Sequence, residues 1–129
     1  MPAASALKPL VVDDQMSIRA LVKQSLKSIG VTDVVEAGDG EDALRQMLQR
    51  PRNLIISDFN MPKLDGLQLL RAVRAHPPIS KTAFVMLTGR ADDDLVKRAS
   101  QFGVNNYLVK PFTVDTLRTK LEEIFGALT

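Results

Sequence analysis

Residues 54–58 read LIISD, three large apolar residues followed by a serine and an aspartate. An apolar run that is continuous rather than alternating is typical of a β-strand covered on both faces. Four further apolar runs share this character: residues 10–12 (LVV), 34–35 (VV), 84–87 (FVML) and 107–109 (YLV). The sequence therefore predicts five short, buried strands.

The segments between these runs carry the apolar periodicity of helices. It is clearest in two sets: Ile18, Leu21, Val22, Leu26 and Ile29, and Val114, Leu117, Leu121, Ile124 and Phe125. Each set predicts a helix with one apolar face. Gly30 lies where a helix should end, and Asp39 and Thr113 lie where helices should begin. Alternating strands and helices indicate an α/β fold, (βα)5, with a doubly wound parallel five-stranded sheet.

Length and composition are those of one globular domain. The chain has 129 residues, of which 45% are apolar and 25% charged, so we expect a single domain over residues 1–129 with no output domain. No apolar stretch has the length of a membrane span or of a signal peptide, so we expect a cytoplasmic protein without membrane insertion. The net charge is only +2, with Lys and Arg spread singly, so we expect no nucleic acid binding. Residues 1–6 are predicted to be a frayed end.

Polar residues follow four of the five predicted strands. In a doubly wound sheet, ligands bind beyond the carboxyl ends of the strands, so the residues directly after each apolar run are the candidates for a site. These are Asp13 and Asp14, Asp58 and Asn60, Thr88 and Gly89, and Lys110 and Pro111. We therefore expect three carboxylates, a hydroxyl and an ammonium group to converge in one crevice.

This combination is typical of phosphoryl transfer. Three carboxylates would repel one another unless a cation compensated them, and Mg²⁺ prefers a few carboxylates together with water and phosphate oxygens. Asp58 is the candidate nucleophile, and Lys110 and Thr88 could stabilise the transferred charge. Each residue alone also fits an ordinary structural role: Asp13 and Asp14 a helix start, Thr88 a turn and Lys110 a solvated lysine. Their convergence at four strand ends favours the site.

These residues match a known family. From residue 7 to residue 128, the chain resembles the CheY-like receiver domain of bacterial two-component response regulators. The resemblance rests on four segments: VVDD (11–14), DFNMP (58–62), LTG (87–89) and KPF (110–112). It implies a flavodoxin-like or CheY-like sheet of order 2-1-3-4-5, with the active crevice between the first and third strands.

The resemblance also implies an acceptor and a metal site. Asp58 would accept a phosphoryl group from a sensor histidine kinase or a phosphotransfer protein and later lose it by hydrolysis. The carboxylates of Asp14 and Asp58 would bind Mg²⁺ together with the main-chain carbonyl of Asn60. Asp13 would act largely through water bound to the metal.

Further residues would respond to the phosphoryl group. The resemblance implies that Thr88 and Lys110 bind its oxygens and that Tyr107 is the switch aromatic. The output surface would be formed by the fourth helix, the fifth strand and the fifth helix. Because the family usually has a cis peptide here, we predict a cis Lys110–Pro111 bond. We also predict that Arg90 shields the phosphoryl group and slows its hydrolysis.

Three functions are compatible with these residues. The first is a monomeric response regulator in chemotaxis or motility signalling, not an enzyme beyond its self-directed phosphotransfer, with an effector such as a flagellar motor switch protein. The second is a phosphate sink or phosphorelay intermediate in another two-component pathway, which would use the same site. The third is a Mg²⁺-dependent phosphatase of the haloacid dehalogenase type. It is disfavoured, because such enzymes need an acid two residues after the nucleophile, where this chain has Asn60.

Overall fold

The computed structural model describes residues 3–89 and 93–129 and has the predicted α/β architecture. Its strands are β1 (Pro9–Val12), β2 (Val35–Ala37), β3 (Leu54–Asp58), β4 (Ala83–Thr88) and β5 (Asn106–Val109). They form one parallel sheet in the order β2-β1-β3-β4-β5. The predicted strand order is therefore confirmed, and β3 lies at the centre of the sheet.

Helices cover both faces of this sheet. They are α1 (Met16–Ile29), α2 (Gly40–Gln49), α3 (Gly66–Ala75), α4 (Asp93–Gln101) and α5 (Val114–Phe125). On one face, Val22 of α1 and Leu117 of α5 pack in a core with Val11 of β1. On the other, Ala43 of α2 and Leu70 of α3 share a second core with the neighbouring strand residues. Successive strand residues point to opposite faces, so continuous apolar strands supply both cores.

The helix ends follow the predicted signals. The Asp39 carboxylate accepts a hydrogen bond from the Asp42 N–H at 2.8 Å, and Thr113 Oγ1 accepts one from the Thr116 N–H at 3.1 Å. Gly30 ends α1 with a positive φ of 102°, a conformation that glycine adopts without steric penalty. The predicted helix starts and the predicted helix end are therefore confirmed.

Within residues 3–89 and 93–129 no helix is both long enough and apolar enough to span a membrane.

Several expectations from the sequence are wrong. The predicted strand at 107–109 is only partly buried, since Val109 is 41% exposed, and Val114 is exposed although the sequence places it on the apolar face of α5. The second strand begins after Val34, and its first two residues are only half-buried because β2 is an edge strand with one neighbour. The sequence places Leu21 on the apolar face of α1, but Leu21 is 45% exposed and therefore faces solvent. In the N-terminal segment, Ala4 is buried in a short 3₁₀-helix, and its N–H donates to the Thr129 carbonyl at 3.0 Å. The described part of this segment is therefore packed rather than frayed.

Candidate functional site

The sheet register brings the polar strand ends together. Val12 of β1 pairs with Ser57 of β3, so Asp13 and Asp58 follow neighbouring positions in adjacent strands. Asp58 in turn pairs with Leu87 of β4, which places Thr88 one residue further along. The Lys110 N–H donates to the Thr88 carbonyl at 2.7 Å and so fixes the end of β5 beside β4. The crevice predicted from the apolar runs is therefore present.

Three carboxylates form the acidic part of this crevice. Asp13, Asp14 and Asp58 each offer an oxygen, and these oxygens lie within 4.8 Å of one another. Asp13 and Asp58 are buried, whereas Asp14 is exposed and lies on the solvent side of the group. Two unit charges 4 Å apart near a protein surface interact by about 4 kcal/mol. The cluster therefore needs positive charge nearby.

Lys110 supplies part of that charge. Its Nζ donates a hydrogen bond of 3.0 Å to Asp58 Oδ1 and lies 3.9 Å from Asp13 Oδ2. Among the described side chains of the crevice, three carboxylates against one ammonium group leave two formal negative charges uncompensated. A divalent cation would balance them.

Asp13 has one carboxylate oxygen without a hydrogen bond. Its Oδ1 accepts from the Gln15 N–H at 2.9 Å, whereas Oδ2 is the one buried side-chain polar atom without a hydrogen-bond partner in the described part of the chain. Burial raises the pKa of Asp13; repulsion from Asp58 and Asp14 acts in the same direction, while the Gln15 hydrogen bond and Lys110 oppose it. An unpaired buried oxygen is costly unless a cation or water binds it. The donor set therefore fits a hard cation such as Mg²⁺.

Other predicted site residues differ in burial and in the elements that they contact. Thr88 is buried at the end of β4, and Asn60 is exposed in the loop after β3. Tyr107 contacts α4 instead: its hydroxyl donates to the Val96 carbonyl at 2.7 Å and lies 2.6 Å from Ser100 Oγ. The tyrosine has one hydroxyl proton, so Ser100 is the donor of the second bond.

Two further predictions concern the segments that follow β4 and β5. The Lys110–Pro111 peptide bond is cis, which confirms that prediction. Arg90 lies outside the described residues, so its shielding role stays a prediction.

Two residues near the site were missed from the sequence. Gly66 begins α3 so close to Asp58 that a Cβ there would overlap the Asp58 main-chain oxygen and lie 2.8 Å from Met86 Sδ. Arg19 of α1 donates from Nη1 to the Asp13 carbonyl at 2.6 Å. The sequence does indicate a helix start near Gly66, which the structure confirms. It does not indicate that this glycine approaches Asp58 so closely, or which carbonyl an arginine will reach.

The sheet order and the crevice at the carboxyl ends of β1, β3 and β4 define the flavodoxin-like, CheY-like class of α/β proteins. The chain belongs to the response regulator receiver domain family, whose model matches residues 10–122. It is therefore a signalling protein of the two-component type.

Individual relatives agree with this assignment. The chain is 46% identical over 128 residues to a Rhizobium etli protein named "Probable chemotaxis protein CheY", covering 99% of each chain. Among solved structures, it is similar to Vibrio cholerae chemotaxis protein CheY4, with a TM-score of 0.85 and 35% identity over 92% of this chain and 98% of that one. It is also similar to the receiver domain of a Pseudomonas aeruginosa sensor histidine kinase, solved with a magnesium ion in its active-site cleft, with a TM-score of 0.83 and 28% identity over 94% and 98% of the two chains.

Proposed function

We propose that this protein is a response regulator that accepts a phosphoryl group on Asp58 in the presence of Mg²⁺ and thereby changes a protein-interaction surface. The observation that carries the proposal is that Asp58 shares one crevice with two further carboxylates and with the ammonium group of Lys110. Phosphoryl transfer depends mainly on positioning and on charge stabilisation, which this arrangement offers.

The metal would be held at the acidic end of the crevice. Asp14 and Asp58 would bind Mg²⁺ through carboxylate oxygens and Asn60 through its main-chain carbonyl, while Asp13 would act through the water around the ion. When bound, Mg²⁺ supplies positive charge that offsets the negative charge of the transferring phosphoryl group. Asp13 Oδ2 has no hydrogen bond to the described residues, and the described side chains leave two negative charges uncompensated; both observations support this assignment, as does the magnesium ion in the related Pseudomonas aeruginosa receiver domain.

The covalent step takes place on Asp58. A carboxylate oxygen attacks the phosphorus of a phosphohistidine on a sensor histidine kinase or phosphotransfer protein, an O–P bond forms, and the N–P bond breaks. The departing imidazole takes a proton from solvent. The attacking group is an ionised carboxylate, so no general base is needed. Lys110 and Thr88 bind the phosphoryl oxygens, and water later hydrolyses the aspartyl phosphate.

The output would appear on the surface of α4, β5 and α5. Val109 and Val114 are exposed apolar residues on β5 and α5, close in sequence to Tyr107, and exposed apolar side chains are common where partners bind. The CheY chemotaxis relatives support a role in chemotaxis. In that role the protein would act as a cytoplasmic monomer, with a flagellar motor switch protein as the first candidate effector. A phosphate sink would use the same site without an effector.

Intact mass after incubation with acetyl phosphate tests the chemistry. The wild type, with and without Mg²⁺, is compared with Asp58→Asn. One Mg²⁺-dependent phosphoryl adduct that is missing in Asp58→Asn is the expected result. A folded wild type that gains no adduct would overturn the proposal, and steady hydrolysis of added phosphate esters would favour the phosphatase.

Binding to a candidate effector then separates the switch from the sink. The switch should bind more tightly once it is phosphorylated, because the phosphorylated conformation is the one that the effector recognises. The sink should drain phosphoryl groups from the kinase without any such gain.

A further inference from the structure

Arg19 is a largely buried arginine that joins the acidic crevice to the neighbouring edge strand. Its side chain is 15% exposed. Nη1 donates to the main-chain carbonyl of Asp13 at 2.6 Å, and Nε donates to Glu36 Oε1 of β2 at 3.1 Å. One guanidinium group therefore connects the β1–α1 loop with β2.

This bridge belongs to a set of contacts that restrains Asp13. The Asp13 N–H donates to the Ala37 carbonyl at 3.2 Å, its carbonyl accepts from Arg19, and its Oδ1 accepts from the Gln15 N–H. Two of these three contacts lead to β2, one directly through Ala37 and one through Arg19 and Glu36. Of the polar atoms of Asp13, Oδ2 alone has no hydrogen bond to the described residues, and it lies in the crevice beside Lys110.

We propose that Arg19 is a positioning residue for the metal site: it fixes the main chain of Asp13 so that Oδ2 is presented to Mg²⁺ and its water, and it thereby raises the affinity for the ion. The proposal rests on the proposed Mg²⁺-dependent function. Outer-sphere hydrogen bonds that orient a metal-binding group commonly change metal affinity 10- to 100-fold.

The contribution of Arg19 is geometric rather than electrostatic. A free cation beside the crevice would disfavour Mg²⁺, but Glu36 pairs with Arg19 and offsets its charge. The remaining effect of Arg19 is geometric: its planar, forked guanidinium group donates to the Asp13 carbonyl and to Glu36 and holds these two acceptors at a fixed separation. Lysine cannot reproduce this fork, because its ammonium group is a point charge on a flexible stem.

Two residues of the same chain provide matched controls. Lys23 also pairs with Glu36, at 3.5 Å, but its side chain is 52% exposed. Arg52 resembles Arg19 in burial, with a side chain 13% exposed. It donates to the Lys8 carbonyl at 3.1 Å, before the start of β1, at the end of the sheet opposite the crevice. Loss of Arg52 should therefore weaken the fold without disturbing the crevice.

Isothermal titration with Mg²⁺, together with thermal unfolding in its absence, tests the proposal. We expect Arg19→Ala to bind Mg²⁺ about tenfold more weakly than the wild type and Arg19→Lys to recover only part of the loss. Lys23→Ala and Arg52→Ala should stay within about twofold of the wild type, although Arg52→Ala should unfold at a lower temperature.

Each of the other outcomes of the Mg²⁺ titration would contradict one step of the proposal. Wild-type affinity in Arg19→Ala would overturn the positioning role, and so would an equal loss in Arg52→Ala, because the effect would then follow general stability. If Arg19→Ala does not fold, wild-type affinity in Arg19→Lys would overturn it. A wild type that binds no Mg²⁺ would overturn the proposed metal function itself, and this inference with it.

Discussion

Lys110 Nζ lies 3.0 Å from Oδ1 of Asp58 and 3.9 Å from Oδ2 of Asp13. One ammonium group therefore contacts carboxylates at the ends of two strands, β3 and β1. The Lys110 side chain is 24% exposed, and solvent partly screens these attractions. An ammonium group that contacts the acceptor oxygen is also within reach of a phosphoryl group attached to it. The pair would therefore suit the proposed phosphorylated protein as well as the free one.

Replacing Lys110 should slow phosphorylation of Asp58. Loss of one positioned donor for developing negative charge typically lowers a rate by about 100-fold or more, so Lys110→Ala should label with acetyl phosphate about 100-fold more slowly. The rate of adduct formation is followed by intact mass at saturating Mg²⁺. Lys27→Ala removes an exposed charge from the last turn of α1 and should label at the wild-type rate. Equal rates in the two variants would contradict a role of Lys110 in transfer.

Asp13 should destabilise the metal-free fold at neutral pH. Burial raises the pKa of Asp13 above its ordinary value of 3.8, so the folded protein binds this proton more tightly than the unfolded chain. The stability that this tighter proton binding contributes is fully present below pH 3.8 and is lost as pH rises through the raised pKa of Asp13. Without Mg²⁺ at pH 7, Asp13→Asn should increase the free energy of unfolding by about 1–3 kcal/mol, measured by urea unfolding. The difference should vanish at low pH.

Asp33 provides a control of opposite sign. A hydrogen bond from Arg52 lowers the pKa of this exposed carboxyl group, so its contribution is present above pH 3.8 and is lost as pH falls through the lowered pKa. Asp33→Asn should therefore lower stability slightly at pH 7. The Asp13 prediction fails if Asp13→Asn and Asp33→Asn change stability in the same direction.

Mg²⁺ should act on the same residue. At about 100 times its Kd, Mg²⁺ should stabilise the wild type by about 2.7 kcal/mol and Asp13→Asn much less.

The sequence predicts the acidic crevice because its acids are tied to strand ends. Asp13 follows β1 and Asp58 ends β3, and parallel strands of a doubly wound sheet place their carboxyl ends along one edge. The position of each carboxylate is then determined by apolar runs that are visible in the sequence. The caps at Asp39 and Thr113 are likewise local, since each bonds a main-chain N–H three residues on.

Features that depend on long side chains could not be predicted in this way. The contact of Arg19 with the Asp13 carbonyl depends on how α1 is rotated over the sheet, and that same rotation exposes Leu21. The bonds of Tyr107 to α4 depend on where that helix packs. Hydrophobic periodicity identifies a face to within about one residue position, which is too coarse to choose hydrogen-bond partners.

Gly66 should not tolerate a side chain. Its N–H donates to the Phe59 carbonyl at 2.9 Å, and a Cβ would overlap the main-chain oxygen of Asp58, which cannot move without shifting the acceptor. Gly66→Ala should therefore lower the free energy of unfolding by about 1–3 kcal/mol and also slow labelling of Asp58. Urea unfolding and intact mass measure the two effects.

Gly89 is the matched glycine for this test. Apart from its chain neighbours, no heavy atom of the described residues lies within 4 Å of a Cβ placed on Gly89, and Gly89 is not among the glycines with a positive φ. Gly89→Ala should be neutral or should stabilise the protein by up to about 1 kcal/mol, since alanine restricts the unfolded chain. A similar loss of stability in both variants would show that the close contact with Asp58 is not the cause.

Ser100 should restrain the movement of Tyr107. The tyrosine hydroxyl is held by the Val96 carbonyl and by Ser100 Oγ, so any switch that moves the ring away from α4 must break both hydrogen bonds. A hydrogen bond contributes about 1 kcal/mol, so Ser100→Ala should favour the moved state about fivefold. Tyr107 is the only tyrosine and the chain has no tryptophan, so tyrosine fluorescence reports this residue alone.

The measurement is a titration with acetyl phosphate at saturating Mg²⁺, followed by tyrosine emission. At equal phosphorylation, Ser100→Ala should show a larger fraction of the emission change than the wild type, because fewer bonds hold the ring in its starting position. Tyr107→Phe should give no signal and confirms the source of the emission. The two proteins are compared when intact mass shows the same extent of phosphorylation. If Ser100→Ala and the wild type then show identical emission changes, the Tyr107 ring keeps its hydrogen bonds to α4 after phosphorylation. Tyr107 would then be a structural residue of the α4–β5 contact, and the switch would have to lie elsewhere on the output surface.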